Sequence, residues 1–483
     1  MPRIACADVT GCAPLTSLTP SLIPLLSHTS PDRIVAWRDG IPVTAAQFLS
    51  DVEKLATILP ASRHILNDCH DRYHFLVALS AILVAGKVNL LPSTRTAETI
   101  RQLLSFAPDA VCLTDQSNCA IALPQTAYPS PTFFGQIGSA SIRAFNIPQI
   151  EEDRLVAYVF TSGSTGLPIA HRKTWATLVC NVQMEARQLG LEPGVNYSVV
   201  GTVPAQHMYG FESTVLMPLA NGFSLTSAQS FYPADICHSL AQVPEPRVLI
   251  TTPVHLRSLL GSALPLPKIE VMVSATAPLS PQLAQQAEQA FHAPLQEIYG
   301  STETGQIATR QPSLTPEWVL FPTLKMAPCP EQDKNDSRMW ISGGHVETPM
   351  PMNDAIELTS NGKFLLHGRI TDLINIAGKR SSLAYLNHHL NAIPGIVDGA
   401  FFMPPEKTSG EVTRLKAVVV APTLEVGDII AALREKIDPA FMPRPLYKVD
   451  SLPRNATGKL PHAALAEFMN TLSNEHSSSE RKP

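Results

Sequence analysis

No stretch of this sequence is long and apolar enough to read as a membrane span. The longest apolar run, Phe75 to Gly86, has about a dozen residues against roughly 20 for a spanning helix, so it reads as a buried helix. The eight cysteines, scattered from Cys6 to Cys329, contain no C-x-x-C pair, and neither a zinc site nor a disulfide framework is signalled. They are expected to be free thiols, mostly buried. Basic excess is also missing. The formal net charge of -5 gives no reason to expect nucleic acid, whose partners carry a strongly basic face. The start, Met1 to Leu15, lacks a basic segment followed by a continuous apolar one, which argues against secretion and for a cytoplasmic location. No fixed-period repeat stands out.

What is present is ample apolar material. Hydrophobic residues make up 45% and charged residues 16% of 483 positions, a globular composition too long for one core, so two or three packed units are expected. The 43 prolines and 25 glycines cut the chain into short elements. Apolar β-branched runs at Leu155 to Phe160, Val248 to Thr252 and Ile269 to Val273 read as buried strands, separated by helical stretches such as Pro281 to Phe291. That alternation predicts an α/β architecture. Short strands at Ala355 to Leu358 and Lys363 to His367 flank Asn361-Gly362, a pair suited to a tight hairpin. Beyond Arg369 the pattern restarts as a smaller unit with a strand at Leu415 to Ala421 and a helix near Val426 to Ile437. A boundary is therefore expected near residue 370. From 370 onward there are 13 Lys plus Arg against 12 Asp plus Glu, leaving 23 against 29 before it. Within the small unit, Arg444, Lys448, Arg454 and Lys459 form a basic cluster, either a landing surface for an acidic partner or an ordinary solvated face.

Four segments carry chemistry. The first is Thr161-Ser162-Gly163-Ser164-Thr165-Gly166, directly after a strand, whose hydroxyls and unobstructed backbone N–H groups suit phosphate oxygens. It lacks the Lys that a Walker loop places after its last Gly. The second is Tyr299-Gly300-Ser301-Thr302-Glu303, where Glu303 can hold Mg²⁺ through one carboxylate while phosphates supply other ligands. The third pairs Asp354 with Arg369, groups able to bind ribose hydroxyls and phosphate oxygens. The fourth is the Thr457-Gly458-Lys459 loop, whose Lys stays cationic at neutral pH and so acts by charge. Alone, each of these is as well explained by a surface turn, a surface carboxylate or an ion pair.

In this order and spacing the four segments resemble the adenylate-forming superfamily of acyl-CoA synthetases, aryl-acid ligases and peptide-synthetase adenylation domains. Ser274 to Ser280 and Asp372 to Arg380 match further motifs. The resemblance implies a large N-terminal domain, residues 1 to 369, of two α/β subdomains plus a distorted β-barrel. A small mobile α+β C-terminal domain, 370 to 483, would act as a lid pivoting near Thr371. It implies ATP as cofactor, with Thr161 to Gly166 around its phosphates. Ser274, Ala275, Thr276, Ala277 and Tyr299 would border adenine and the acyl pocket, with Gly300 and Ser301 beside them. Thr302 would touch the α-phosphate, Glu303 hold Mg²⁺, Asp354 and Arg369 bind ribose, and Lys459 bridge the acid and the α-phosphate. His207, with Met208 and Tyr209, aligns with the gate beside the acyl pocket. A satisfied core histidine is the alternative for His207. Two positions depart from the family: Ile169 replaces the Lys that usually follows the loop Pro, for which Lys173 or Arg172 are possible substitutes, and His462 stands where an Arg is common. A closer resemblance, to stand-alone ligases of aryl polyene and xanthomonadin-type pathways, implies an aromatic acid loaded onto the phosphopantetheine thiol of a separate acyl carrier protein. Free CoA as acceptor is the rival, and a degenerate nucleotide-binding protein without catalysis is the rival of another class.

Overall fold

The computed structural model describes residues 21–134, 145–162, 168–328, 338–359, 362–370, 373–376, 379–404, 414–455, 458 and 460–479. Two mainly parallel sheets dominate. In the first, strands run in the order Pro168–Thr174, Leu155–Ser162, Val88–Leu91, His64–Asp68, Val111–Thr114, Gln125–Ala127, with only the Pro168–Thr174 strand antiparallel to its neighbour. In the second, Ile34–Arg38, Ser224–Thr226, Ser198–Gly201, Arg247–Thr251, Val271–Ser274 and Leu295–Ser301 lie side by side and parallel. Beyond Leu295–Ser301 the same sheet turns antiparallel through Gly305–Arg310, Trp318–Leu320, Lys363–Arg369 and Asp354–Leu358. A further antiparallel sheet joins Leu324–Pro328, Met339–Gly343 and Val346–Pro351. The fold is thus α/β, with the mostly antiparallel elements gathered after Gly305.

Local sequence accounts for these elements. The helix Pro281–Phe291 begins where Ser280 accepts the Leu283 N–H at 3.2 Å and Pro281 fills the first turn, and it buries Leu283, Ala284, Ala287 and Phe291 along one face. His292, left-handed at φ 51°, stops it. The helix Arg72–Val84 is apolar nearly all round and is buried at almost every position. Observed limits differ slightly from the sequence reading: the Ile269 strand starts at Val271, and the helix expected to reach Ile437 ends at Arg434. The hairpin of Asp354–Leu358 and Lys363–Arg369 forms, closed by the Thr359 N–H on Lys363 O at 2.9 Å; Asn361 lies outside the described residues. Of the described cysteines, Cys69 and Cys112 are buried, whereas Cys119, Cys180 and Cys237 are only partly so. The expectation of mostly buried thiols therefore holds for two of these five.

The smaller C-terminal unit has its own core. Asp398–Phe402, Lys416–Val420 and Leu446–Lys448 form a sheet, with Phe401, Ala417, Val419, Leu386, Leu390, Ile429 and Leu433 packed on one face and Leu465 and Met469 of the last helix on the other. No helix of the described residues is long and apolar enough to cross a membrane.

The two large sheets are locked together by one buried cation. Arg72, 1% exposed, donates to Thr214 Oγ1, Thr226 O, Ala228 O, Gly201 O and Val203 O at 2.7 to 3.1 Å. It leaves the end of the first sheet's strand His64–Asp68 and satisfies carbonyls at the ends of the second. Arg72→Met keeps the volume but strands those acceptors in an apolar place, and we expect it to lower unfolding stability by roughly 3 kcal/mol or more. Chemical denaturation of the full chain checks this; a loss below about 1 kcal/mol would contradict it.

Candidate functional site

The candidate residues gather at the carboxyl ends of Arg247–Thr251, Val271–Ser274 and Leu295–Ser301, where open α/β sheets hold ligands. The turn between Leu295–Ser301 and Gly305–Arg310 carries Thr302, Glu303 and Thr304. Glycine is required on both sides of it. A Cβ on Gly300 would lie 2.3 Å from Gly305 O and 2.8 Å from Gln306 Cα. Gly305 is left-handed at φ +73°, and a Cβ there would come within 2.0 Å of Asn181 Nδ2. The register shift between Tyr299 and Gly300 is the bulge this close approach permits.

One side of that turn suits a nucleoside. The Tyr299 hydroxyl donates to the Asp354 carboxylate, and the hairpin register sets Asp354 opposite Arg369. Trp318 and Phe364 flank the Tyr299 ring at 5.5 and 6.0 Å. Ser274 is paired with Thr251 across the parallel strands, so the Ser274-Ala275-Thr276-Ala277 loop leaves the same edge. Thr276 has φ +78°, a strained value for a β-branched residue and one that clusters at functional sites. The loop is held by buried Glu297, which accepts the Leu279 N–H at 3.0 Å and pairs with Arg310 at 2.7 Å.

The other side suits phosphate. Thr161 Oγ1 is 2.8 Å from His171 Nε2, and that nitrogen is 3.7 Å from Glu303 Oε1. His171 and Lys173 alternate on the strand Pro168–Thr174, so both turn inward. Lys173, 7% exposed, donates to Glu303 O at 3.2 Å. Arg172, more exposed, stands 3.8 Å from Glu347. A cavity of about 230 Å³ is lined by His171, Lys173, Asn181, Glu212, Glu303 and Thr304, among others. Ser162 lies at the end of its strand, whereas Gly163, Ser164, Thr165 and Gly166 lie outside the described residues, as do Thr371 and Lys459. Gly458, next to Lys459, approaches Val254 and Thr252, directly beyond the Thr251 strand end.

His207, expected beside the acyl pocket, starts a short helix in which its Nδ1 accepts the Tyr209 N–H at 3.3 Å. Met208 and Tyr209 are buried, and the Tyr209 hydroxyl donates to Val273 O at 3.0 Å, one residue before Ser274. The helix continues as a π-helix over Phe211–Leu216, a geometry frequent at functional sites.

Comparison with known proteins shows the family. A family model described as AMP-binding enzyme matches residues 27–333. The chain belongs to the AMP-binding enzyme family. Among similar proteins, 4-coumarate–CoA ligase of Rhodobacter capsulatus is 29% identical over 311 residues, 64% of this chain and 75% of that protein. The 4-chlorobenzoate–CoA ligase of an Arthrobacter species is 25% identical over 362 residues, 68% of each. ATP-bound MatB from Rhodopseudomonas palustris shares the fold with a TM-score of 0.77 at 18% identity, covering 92% of this chain and 97% of that one. This AMP-binding enzyme is an AMP-forming acid–thiol ligase with a large N-terminal and a small C-terminal domain.

Residues outside the motifs, of which only Lys173 was named from the sequence, adjoin the candidate site of the AMP-binding enzyme. His171, Lys173, Asn181, Glu185, Glu212, Ser213 and Gln306 form a polar cluster under the Glu303 turn. Period-2 alternation after the phosphate loop was a usable signal for His171 and Lys173; nothing local marks the others. Burial lowers the Lys173 pKa against the attraction of Glu212, Glu303 and Glu347; it also lowers that of His171 against the attraction of Glu303, and that of His345 to about 4. Burial pushes Glu185 up to about 8, opposed by Ser213 and Gln306, and Glu212 up to about 8, opposed by Lys173.

Glu185 therefore has a raised folded-state pKa. As pH rises from the ordinary carboxyl value of about 4.3 toward 8, the unfolded chain ionises and the folded one resists, so this group subtracts stability across that window. Glu185→Gln removes the penalty. We expect its melting midpoint, relative to the parent, to improve steadily between about pH 5 and pH 8. A constant difference across that range would contradict the assignment.

Proposed function

We propose that this enzyme activates an aromatic carboxylic acid as its acyl-AMP and transfers the acyl group to the thiol of CoA. The observation that carries the reading is the shared turn: Glu303, held beside His171 and Thr161, and Tyr299, held on Asp354, sit on one five-residue stretch. A nucleoside on the Asp354 side then extends its phosphates toward Thr161 and Glu303. The substrate carboxylate attacks the α-phosphorus, a P–O bond forms, and pyrophosphate leaves. Two anions meet in that step, so cations and aligned N–H groups lower the barrier. Thr302 and the Thr161 to Gly166 loop supply donors, Arg369 and Asp354 position ribose, and Lys459 bridges acid and α-phosphate.

A partly exposed Glu303 carboxylate in an open cavity fits a hard divalent cation that takes its remaining ligands from phosphate and water. Mg²⁺ bound there would neutralise phosphate charge. In the second half-reaction the thiol attacks the acyl carbonyl and AMP departs, with the small domain pivoting near Thr371 between the two steps. His207, Met208, Tyr209, Ala275, Gly300 and Ser301 would border the acid.

CoA is favoured as acceptor because the similar proteins are named as CoA ligases of coumarate and chlorobenzoate, acids that also motivate the aromatic assignment. The basic cluster gives little support to a carrier protein: Arg454 is spent on a bidentate pair with Asp398 at 2.6 and 2.7 Å, and Lys448 lies 3.7 Å from Glu425. Thioester formation with CoA and with a phosphopantetheinylated carrier, measured over a panel of benzoates and cinnamates, tests the reading. We expect turnover with CoA; turnover confined to the carrier would overturn that half of it. Lys459→Ala should slow acyl-AMP formation by roughly 10² to 10³, or about 3 to 4 kcal/mol, while transfer from supplied acyl-AMP survives. Pyrophosphate release at the parental rate in that variant would contradict its role.

A further inference from the structure

We infer that Asp68, Cys112 and Cys119, with His70 next to Asp68, form a binding site for a thiophilic divalent cation of the zinc class, remote in sequence from the segments that carry the ligase chemistry. The strands His64–Asp68 and Val111–Thr114 are parallel neighbours whose register sets Leu66 beside Cys112 and Asp68 beside Thr114. Side chains two apart on a strand share a face, so Cys112 and Asp68 project to the same side. The following loop returns Cys119 to them and is fixed there by Gln125, whose Nε2 donates to Cys119 O at 2.9 Å.

The resulting distances match a coordination shell. Cys112 Sγ and Cys119 Sγ are 4.0 Å apart, Cys119 Sγ is 3.9 Å from Asp68 Oδ2, and the three ligand atoms all lie within 4.8 Å of one another. His70 Nε2 stands 3.9 Å from the same Asp68 oxygen, its ring half exposed. Tetrahedral zinc, with Zn–S near 2.3 Å and Zn–O near 2.1 Å, sets S···S at roughly 3.8 Å and S···O at roughly 3.6 Å. A cation needs to draw the Cys112–Cys119 and Cys119–Asp68 pairs in by only a few tenths of an ångström, and the remaining Cys112–Asp68 pair, within 4.8 Å, by at most about 1.2 Å. A disulfide would need the sulfurs to close to about 2.05 Å and would leave the surrounding Asp and His unexplained.

Charge also balances. Two thiolates and one carboxylate carry three negative charges, the cation two positive, and Arg95, bonded to Asp68 Oδ1, the third. Neutrality matters here because Asp68 and Cys112 are buried. Arg95 occupies one carboxylate oxygen and orients the other toward the cluster, as partners of ligating carboxylates do. Bound cation would clip the loop after Val111–Thr114 to the strand end at Asp68.

The test uses the full chain, stripped with a chelator and kept reduced with a phosphine, titrated with Co²⁺ and then Zn²⁺. We expect a thiolate-to-cobalt charge-transfer band saturating at one cobalt per chain and displaced by zinc, and a melting midpoint raised by zinc. Cys119→Ser, at a partly exposed position, should melt like the metal-free parent, lose the band and show no zinc response. Absence of a saturable band, a band of equal strength in Cys119→Ser, or zinc leaving the melting midpoint unchanged would each overturn the proposal.

Discussion

The site depends on two backbones approaching more closely than any side chain would allow. At Gly300 the strand Leu295–Ser301 presses against the carbonyl of Gly305, and the bulge this creates aims Tyr299 to one side and Glu303 to the other. Because the turn is short, two chemically different corners are fixed at once. One corner is the Tyr299–Asp354 hydrogen bond, suited to a sugar; the other is the Thr161, His171 and Glu303 contact, suited to phosphate. Tertiary support comes from beneath, where Asn181 packs against Gly305 and Gln306 donates to Ser213 at 2.9 Å.

Electrostatics under this turn are unusual for a protein core. Lys173 is nearly enclosed yet donates to the carbonyl of Glu303 and lies among the fields of Glu212, Glu303 and Glu347. With Ile169 where the family usually has a lysine, Lys173 is the inward-facing cation of the same strand, whereas Arg172 turns toward Glu347. Its hydrogen bond to the Glu303 carbonyl steadies the turn from behind. Such a buried arrangement costs desolvation, and Glu185 and Glu212, both pushed up to about 8, carry part of that cost by holding their protons near neutral pH.

Much of this architecture was legible in the sequence. The strand after Leu155, the helix Pro281–Phe291 with its Ser-Pro start, and the hairpin near Asn361-Gly362 follow from periodicity, capping and turn chemistry that tertiary context did not override. The motif residues Tyr299, Glu303 and Asp354 also come together, because loops at strand ends are where a parallel sheet presents polar groups. Other features were hidden. His171 looked like an ordinary strand residue until the Glu303 turn was packed over it, and Lys173 stood out only as one of two possible substitutes for the lysine missing at Ile169. Glu185 and Glu212 lie in helical segments whose neighbours only the fold supplies. The Asp68, Cys112 and Cys119 cluster escaped notice because its ligands come from two paired strands and a loop, without the short spacing that marks metal motifs.

The most direct test of the converging turn is acid-dependent exchange of pyrophosphate into ATP by the parent and by Gly300→Ala. That substitution removes no functional group, yet its methyl would force the two strands apart. If Tyr299 and Glu303 work only as a jointly placed pair, exchange should be nearly abolished while circular dichroism shows a folded chain. Exchange at the parental rate in a folded Gly300→Ala protein would contradict the account.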